Sequence, residues 1–275
     1  MDLDPDLAAL RPLGGYFVLR TAPPTASAPS LPTLAEAYGD RPPDADGSPR
    51  AHPEAPPTVP EAPLTVPDFP LTVPGPPLTV RLRRVAGALR APEARVAASV
   101  TQQGLAARLW SVALGCAALY GGLPDLDPRL LLWDPDGSAP DDLWLTEVRA
   151  RPGDAATLAE SVLHGHLEPL AEALRARHPV APGLLRGNAA SALAGAARQL
   201  DHWALAHGRT DVSARSRALT AELFTHPLLA GTGTLTGTAF RRRSCCLYYR
   251  VPGGGVCGDC CFTRPPRSSP RGPSG

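Results

Sequence analysis

Five of the six cysteines in this chain of 275 residues lie within 17 residues near its C-terminus. Cys257 and Cys260 have Cys-x-x-Cys spacing, which turns two thiolates toward one metal centre. Cys245 and Cys246 are adjacent in sequence, and the three glycines at 253–255 allow the loop between the two pairs to fold back. The spacing therefore predicts that the adjacent pair faces the Cys-x-x-Cys pair around a metal centre.

The spacing alone does not decide which metal is bound. Four thiolates suit tetrahedral zinc as well as an iron–sulfur cluster. In extended backbone, the side chains of two adjacent cysteines point to opposite sides, which is awkward for one small ion and easier for two sulfide-bridged irons. A disulfide is the third alternative and the least favoured, because thiols stay reduced in the cytoplasm. Zinc and an iron–sulfur cluster both stay open at this point.

The pattern Cys-Cys-x10-Cys-x2-Cys, carried by Cys245, Cys246, Cys257 and Cys260, resembles the [2Fe–2S] signature of the FhuF-like ferric siderophore reductases. Three further segments are similar to parts of that family: residues 185–193, 226–229 and 242–250. Cys261 is an additional cysteine beside the motif, and we take Cys260 as the fourth ligand.

The resemblance implies a [2Fe–2S] cofactor and one-electron reduction of Fe(III) in a siderophore, mostly of the hydroxamate type. Hard anionic oxygens bind Fe(III) far more tightly than Fe(II), so the electron releases iron for assimilation without breaking a bond of the chelator. The glycines at 231, 233 and 237 miss the dinucleotide-binding spacing, and we interpret this segment as a loop. With no flavin or nicotinamide site in the sequence, we expect a separate electron donor of the ferredoxin or flavin reductase type.

Two other functions compete with this interpretation. The same cysteines suit structural zinc in a non-enzymatic interaction module. The helical core of the family also resembles one lobe of ATP-using siderophore synthetases, but the chain is short for that chemistry and has no phosphate-binding loop.

Arginines surround the cysteine motif at positions 241, 242, 243 and 250. Cations near a four-cysteine cluster favour its reduced form, which carries one more negative charge. The alternative is a solvated basic face, and the sequence does not separate the two. Beyond the cluster cysteines, it identifies no catalytic residue.

Other polar residues fit ordinary structural roles. His164 and His166 are two positions apart on a predicted helix, so they lie on different faces and make poor joint metal ligands. Asn188, after Gly187, satisfies backbone groups or contacts the siderophore. Cys116, alone in an apolar segment, is expected to be buried.

Hydrophobic periodicity predicts a mostly α fold: a helical domain with a small β-hairpin and a C-terminal cysteine-rich iron–sulfur knot. The predicted helices span residues 81–90, 93–120, 155–177, 184–206 and 212–224, with a further short helix within 32–38. Asp154 is a predicted helix cap, as is Thr210 or Asp211, and Pro169 is expected to interrupt its helix. The hairpin is expected from residues 130–133 and 143–148, around the turn sequence at 134–137.

The uneven distribution of proline along the chain predicts where its divisions lie, because 17 of the 34 prolines fall within residues 21–80. Thr-Val recurs there every seven residues, and the prolines between the repeats favour extended polyproline II geometry. The expected divisions are an N-terminal segment 1–40 loosely part of the main domain, a disordered spacer 41–80, a helical domain 81–243, a cluster-binding segment 244–262 and a disordered tail 263–275.

Charge and hydropathy exclude several classes of protein. The chain has 27 arginines, no lysine and 26 acidic residues, and its net charge of +1 argues against a nucleic-acid-binding protein. The longest apolar run, residues 109–123, is too short to span a bilayer. The first six residues are acidic where an export signal is basic, so we expect a cytoplasmic protein without an integral membrane segment.

Overall fold

Two long helices form the centre of the structure, a computed structural model that describes residues 3, 7–21, 31–39 and 75–266. Helix α3 (Ala94–Tyr120) packs along α6 (Pro182–Ala206), and both are rich in alanine, which brings their backbones close together. At Gly115 of α3, an added Cβ would lie 2.9 Å from the side chains of Leu10 and Phe17, so this glycine admits the N-terminal segment to the core.

The remaining helices surround this pair and confirm the mostly α prediction. They are α1 (Leu34–Tyr38), α2 (Pro77–Leu89), α4 (Ala155–Leu158), a π-helix (Ala159–Leu167), α5 (Glu168–Arg175) and α7 (Thr210–Leu223), with 3₁₀ turns at Ala8–Leu13 and Tyr248–Arg250. No helix in the described part of the chain is long and apolar enough to cross a membrane.

Most of the predicted helix signals are present in the structure. Asp154 accepts a hydrogen bond from the Thr157 amide at 2.7 Å and caps α4. Pro169 lies in the first turn of α5, where the preceding π-helix changes to an α-helix. The backbone stays helical through Leu167 and Glu168, so the expected interruption near Pro169 is a change of helix type and not a break. The predicted cap of α7 is wrong: α7 begins at Thr210 itself, and its N-cap residue Arg209 makes no side-chain capping bond.

Helix α2 begins at Pro77, four residues before the predicted start at 81. The last Pro-Leu-Thr-Val unit therefore forms the first helical turn instead of extended chain. Proline is tolerated at this position, and burial of Leu78 anchors the turn to the core. Residues 40–74, which include the other repeats of the predicted spacer, lie outside the described residues, as does the tail from 267 onward.

Three antiparallel two-stranded sheets occur in the described ranges. The predicted hairpin is confirmed, with β2 (Leu131–Trp133) paired to β3 (Leu143–Leu145) and Leu132 opposite Trp144. The other two were not predicted. They pair β1 (Gly122–Pro124) with β4 (Ala150–Pro152) and β5 (Gly233–Thr236) with β6 (Ala239–Arg242).

The prediction of a loop around Gly231, Gly233 and Gly237 is therefore wrong from Gly233 onward, where the chain forms the β5–β6 hairpin. A Cβ on Gly233 would lie 2.4 Å from the Phe240 ring, so this glycine makes room for an aromatic ring across the β5–β6 hairpin. Gly237, with φ of 60°, forms the turn between the two strands. Strand β6 then leads directly into the cysteines.

The two histidines of the π-helix have the structural roles expected of them. His164 lies 2.5 Å from a Glu168 carboxylate oxygen at the surface. His166 is fully buried, where its Nε2 lies 2.6 Å from the Leu126 carbonyl and its Nδ1 lies 3.0 Å from the Tyr38 hydroxyl. Both histidines are far in sequence from the clustered cysteines, and we assign neither of them as a metal ligand.

Burial of His166 predicts a specific loss of stability in acid. Burial lowers the pKa of His166 from 6.5 to about 4, because the imidazolium is poorly solvated there. The stabilising contribution of the neutral ring is complete above pH 6.5 and is lost as the pH falls toward 4. We expect the urea midpoint to decrease across this window, and His166→Gln to flatten the decrease. An unchanged slope in the variant would contradict this origin.

Candidate metal centre

The cysteines are placed beside the end of strand β6. The strand alternates exposed and buried residues, so Arg241 faces solvent and Arg242 faces the core. The Arg242 amide donates to the Asp259 carbonyl at 3.0 Å, which brings the Cys-x-x-Cys segment alongside the strand. Within that segment, the Cys260 amide donates to the Cys257 carbonyl at 3.1 Å and closes the turn.

The neighbouring cysteines affect one another's protonation, which contributes to the shifts in the pKa values of Cys245, Cys246, Cys257 and Cys261. Cys246 is buried, and its sulfur is hydrogen-bonded to the Cys245 and Cys257 thiols. These bonds lower the pKa of Cys246, and the same bonds, followed by burial, raise the pKa values of Cys245 and Cys257. Cys260 interacts with Cys257, and Cys261 interacts with both Cys260 and Cys245. The five cysteines are unbridged thiols, so the structure has no disulfide among them.

Backbone amides point at these sulfurs. The Leu247 amide donates to Cys245 Sγ at 3.2 Å, and the Phe262 amide donates to Cys260 Sγ at 3.4 Å. Leu247 has the left-handed conformation, with φ of 67°, which is unusual for a residue with a branched side chain. Amide donors stabilise anionic sulfur and are one of the levers that tune iron–sulfur centres.

A buried chain of hydrogen bonds connects Cys246 to both central helices. Ser99 of α3 donates from Oγ to the Cys246 carbonyl at 2.7 Å. Asn188 of α6 donates from Nδ2 to the Ser99 carbonyl at 2.9 Å and accepts at Oδ1 from Arg242 Nη2 at 2.6 Å. Asn188 therefore satisfies a backbone group, one of its two expected roles, and also orients the arginine beside the cysteines.

Arg242 is the buried cation of the site. Its residue is 2 % exposed. Hydrogen bonding to Cys246 raises the pKa of Cys257 and burial raises that of Cys261, and the positive charge of Arg242 partly offsets both increases. The interpretation of the arginine run as a solvated basic face is therefore wrong for Arg242, although Arg241, Arg243 and Arg250 are exposed. A cation without access to solvent interacts more strongly with nearby charge than an exposed one.

A second set of contacts fixes the Cys-x-x-Cys segment through Asp259, which lies inside it. Ser191 of α6 donates to Asp259 Oδ2 at 2.6 Å, and Arg198 lies 3.3 Å from Oδ1. Sequence reasoning missed Ser99, Ser191, Arg198 and Asp259. Two features of the sequence could have pointed to these contacts: the adjacent Gly187 and Asn188 on α6, and the acidic Asp259 between two cysteines.

Gly187 explains why a glycine precedes Asn188. A Cβ at Gly187 would lie 2.1 Å from Ser244 Oγ and 3.2 Å from Arg242 Nη2. The segment before Cys245 therefore rests directly on the backbone of α6.

We expect Gly187→Ala to be less stable than Gly183→Ala by about 1–3 kcal/mol, the usual cost of overpacking. Gly183 is the matched control because it is exposed on the same helix with nothing within 4 Å of an added Cβ. Adding Ser244→Ala to Gly187→Ala relieves the clash and is expected to recover part of the loss. Equal urea midpoints for the two alanine variants would refute this role for Gly187.

The donor set fits an iron–sulfur cluster. Interacting thiols, amide donors to sulfur and a buried cation provide ligands and charge compensation for an anionic centre. Over the described ranges, no three or more His, Cys, Asp or Glu side chains are arranged to hold a single metal ion.

Comparison with known proteins supports the same cofactor. The family model described as the FhuF 2Fe-2S C-terminal domain matches residues 242–262, which is consistent with an FhuF-like family. The match spans the end of β6 and all five clustered cysteines, and it identifies a [2Fe–2S] cluster as the cofactor of this segment. No curated protein matches the chain.

Proposed function

We propose that this protein is a cytoplasmic reductase that transfers one electron to Fe(III) held in a siderophore of the hydroxamate type. Iron leaves as Fe(II), which hydroxamate oxygens bind weakly, and no bond of the chelator breaks. The observation that carries this proposal is the cluster of interacting thiols fixed to α3 and α6 and accompanied by the buried Arg242. When bound, a [2Fe–2S] cluster supplies one-electron chemistry.

We assign Cys245, Cys246, Cys257 and Cys260 as the ligands. Cys246 is central because its sulfur is hydrogen-bonded to the two flanking thiols. Cys257 and Cys260 are held by their own turn and by Asp259. Cys261 is left as the additional thiol.

A groove beside Asp259 provides a surface for the ferric chelate. It has a volume of about 290 Å³ between α3 and α6, and Asp259 at one end places it next to the Cys-x-x-Cys segment. Tyr16 lines the groove, and its backbone is held by the buried Arg108, whose Nη1 donates to the Tyr16 carbonyl at 2.6 Å. The volume suits one edge of a chelate exposed to solvent.

The lining of the groove favours an uncharged ligand with many hydrogen-bonding groups. Its charged residues, Arg198 and Asp259, are paired with each other. Its other polar groups are the neutral amides and hydroxyls of Gln103, Gln199, Ser111 and Ser191. The remaining small lining residues are Ala107, Ala192, Gly195 and Ala196. A ferric trihydroxamate is neutral overall and has amide-like oxygens on its surface, so it matches this lining.

Filling the groove at Gly195 is expected to lower kcat/KM for a ferric trihydroxamate by about tenfold, equivalent to about 1.4 kcal/mol of lost contact. An added Cβ at Gly195 meets only the Arg198 guanidinium, at 4.0 Å, so Gly195→Phe projects into the groove without a backbone clash. Gly183→Phe, at an exposed glycine of the same helix outside the groove, is the control. Equal kinetics for the two variants would exclude the groove as the substrate surface.

The proposed reaction is tested in a single turnover. Anaerobically purified protein is reduced, freed of reductant and mixed with a ferric trihydroxamate and an Fe(II)-trapping chelator. We expect about one trapped Fe(II) per reduced chain, and about two irons in each loaded chain. A colourless protein with one zinc per chain, or reduced protein that releases no Fe(II), would overturn the proposal.

A further inference from the structure

The segment that holds the cysteines is strongly basic, although the chain as a whole is nearly neutral. Residues 241–266 contain five arginines, one aspartate and no lysine, histidine or glutamate, so their formal net charge is +4 before any thiol is ionised. The whole chain has a net charge of +1, so all other residues together carry −3. Four of the five arginines are exposed, and among the residues that the structure describes only Arg250 of these four is ion-paired with an acidic residue from outside the segment, Glu93, so the exposed surface presents a net positive field to an approaching molecule.

Apolar side chains are exposed on the same segment. Five large hydrophobic residues are exposed in the described part of the chain, and three of them are Tyr248, Val256 and Phe262. Phe262 is 38 % exposed and follows Cys260 and Cys261 directly. Exposed apolar groups rimmed by charge are typical of sites where another protein docks.

Contacts connect Phe262 and the half-buried Tyr249 with neighbouring arginines in one surface, which we call the cysteine face and define as Arg241, Tyr249, Arg250, Phe262 and Arg264. The Arg241 guanidinium donates to the Cys261 carbonyl at 3.4 Å, the Phe262 ring packs edge-on against Tyr249 with centroids 6.0 Å apart, and Arg250 Nε donates to the Tyr249 hydroxyl at 3.2 Å. Arg264 is exposed two residues after Phe262.

We propose that the cysteine face docks the electron donor, and that this donor is a small redox protein with an acidic surface. An aromatic centre beside the cysteine thiols brings the two redox centres close, and the arginines attract and orient an acidic partner. One electron leaves the reduced donor, which is oxidised, and enters this protein, which is reduced; no bond forms or breaks. This inference rests on the proposed function, because it names the partner that supplies the electron.

Binding is tested with an oxidised plant-type ferredoxin that has an acidic surface, so that neither turnover nor a siderophore is involved. For loaded wild-type protein, we expect the affinity measured by titration calorimetry to fall at least tenfold between about 20 mM and 300 mM salt. Arg241→Glu with Arg264→Glu should weaken binding at least tenfold at low salt. Arg264→Glu alone should weaken it about threefold, in case Arg241→Glu prevents cluster loading.

The matched control reverses two exposed arginines at the other end of the molecule, Arg129→Glu with Arg149→Glu. Arg149 lies beside the strand that follows α3, and the part of that helix from Ser99 to Tyr120 spans about 30 Å. We expect this variant to bind the ferredoxin within about twofold of wild type, because the reversed charges lie about 30 Å from the cysteine face, beyond the screening length of about 20 Å at about 20 mM salt. Iron content and visible spectrum are matched for every variant before comparison.

Three results would overturn the proposal: affinity independent of salt, equal weakening by both double reversals, or no ferredoxin binding at low salt. Sedimentation of the protein with vesicles of phosphatidylserine and phosphatidylcholine, in the absence of ferredoxin binding, would assign the face to a membrane surface instead. Failure here is distinct from failure of the proposed function, because the single-turnover release of Fe(II) uses chemically reduced protein and no donor.

Discussion

Cys246→Ser is expected to lose the visible absorption of the protein and nearly all of its iron, from about two atoms per chain to less than about a tenth of that. Cys246 is the buried member of the thiol cluster, and the sulfurs of Cys245 and Cys257 both contact its sulfur. A serine oxygen at this position is a shorter and harder ligand that does not deprotonate readily. Iron analysis and the spectrum of anaerobically purified protein provide the measurement.

The control for this substitution is the neighbouring additional thiol. Cys261→Ser is expected to retain the cluster, because Cys257 and Cys260 already provide the Cys-x-x-Cys pair. Cys116→Ala tests whether loss of any buried cysteine has the same effect, since Cys116 lies within α3. A Cys246→Ser protein that keeps its full iron content would contradict the ligand assignment, and loss of iron in Cys261→Ser would transfer the fourth position to Cys261.

The thiol cluster could be predicted from the sequence because its members are close along the chain. Residues 245–261 carry all five thiols, and the glycines between the pairs allow the loop to fold back. The helical core was predictable for a related reason, since helical periodicity is a local property. Asp154, for example, caps a helix through a contact only three residues along the chain.

The residues that fix the cluster were not predictable because their contacts are distant in sequence. Ser99 and Cys246 are 147 residues apart, and Ser191 and Asp259 are 68 apart. A single sequence has no signal for such pairs, and isolated serines are common on helices. The same limit applies to Arg242, whose buried guanidinium donates to Asn188, 54 residues away.

Two local predictions failed because tertiary packing outweighed propensity. Proline-rich repeats favour polyproline II, but burial of Leu78 stabilises the helical turn that begins at Pro77. Glycine at 233 is typical of a loop, but the Phe240 ring lies over it and makes it a strand residue. The contact that stabilises the turn at Pro77 is with the distant core, whereas the contact at Gly233 is with a residue seven positions along the chain, across the turn of one hairpin.

The buried charge of Arg242 should be measurable as a change in reduction potential. The reduced centre carries one more negative charge than the oxidised one, so a nearby cation stabilises it more, and removing the cation makes reduction harder. For an assumed charge separation of about 8 Å and an effective dielectric constant of about 20, the lost attraction is about 2 kcal/mol, on the order of 100 mV for one electron. We therefore expect Arg242→Met to lower the potential by on the order of 100 mV in a spectroelectrochemical titration.

Two controls separate the charge of Arg242 from its structural contacts. Arg242→Lys keeps the cation but loses the planar donor group that reaches Asn188 and the Leu184 carbonyl, so it should lower stability while shifting the potential much less. Arg243→Met removes an exposed charge from the neighbouring position, where water and salt screen the interaction, and its shift should be a few tens of millivolts at most. Equal shifts for Arg242→Met and Arg243→Met would mean that the burial of Arg242 has no electrostatic consequence, and the potential would then be set by the amide donors to Cys245 and Cys260.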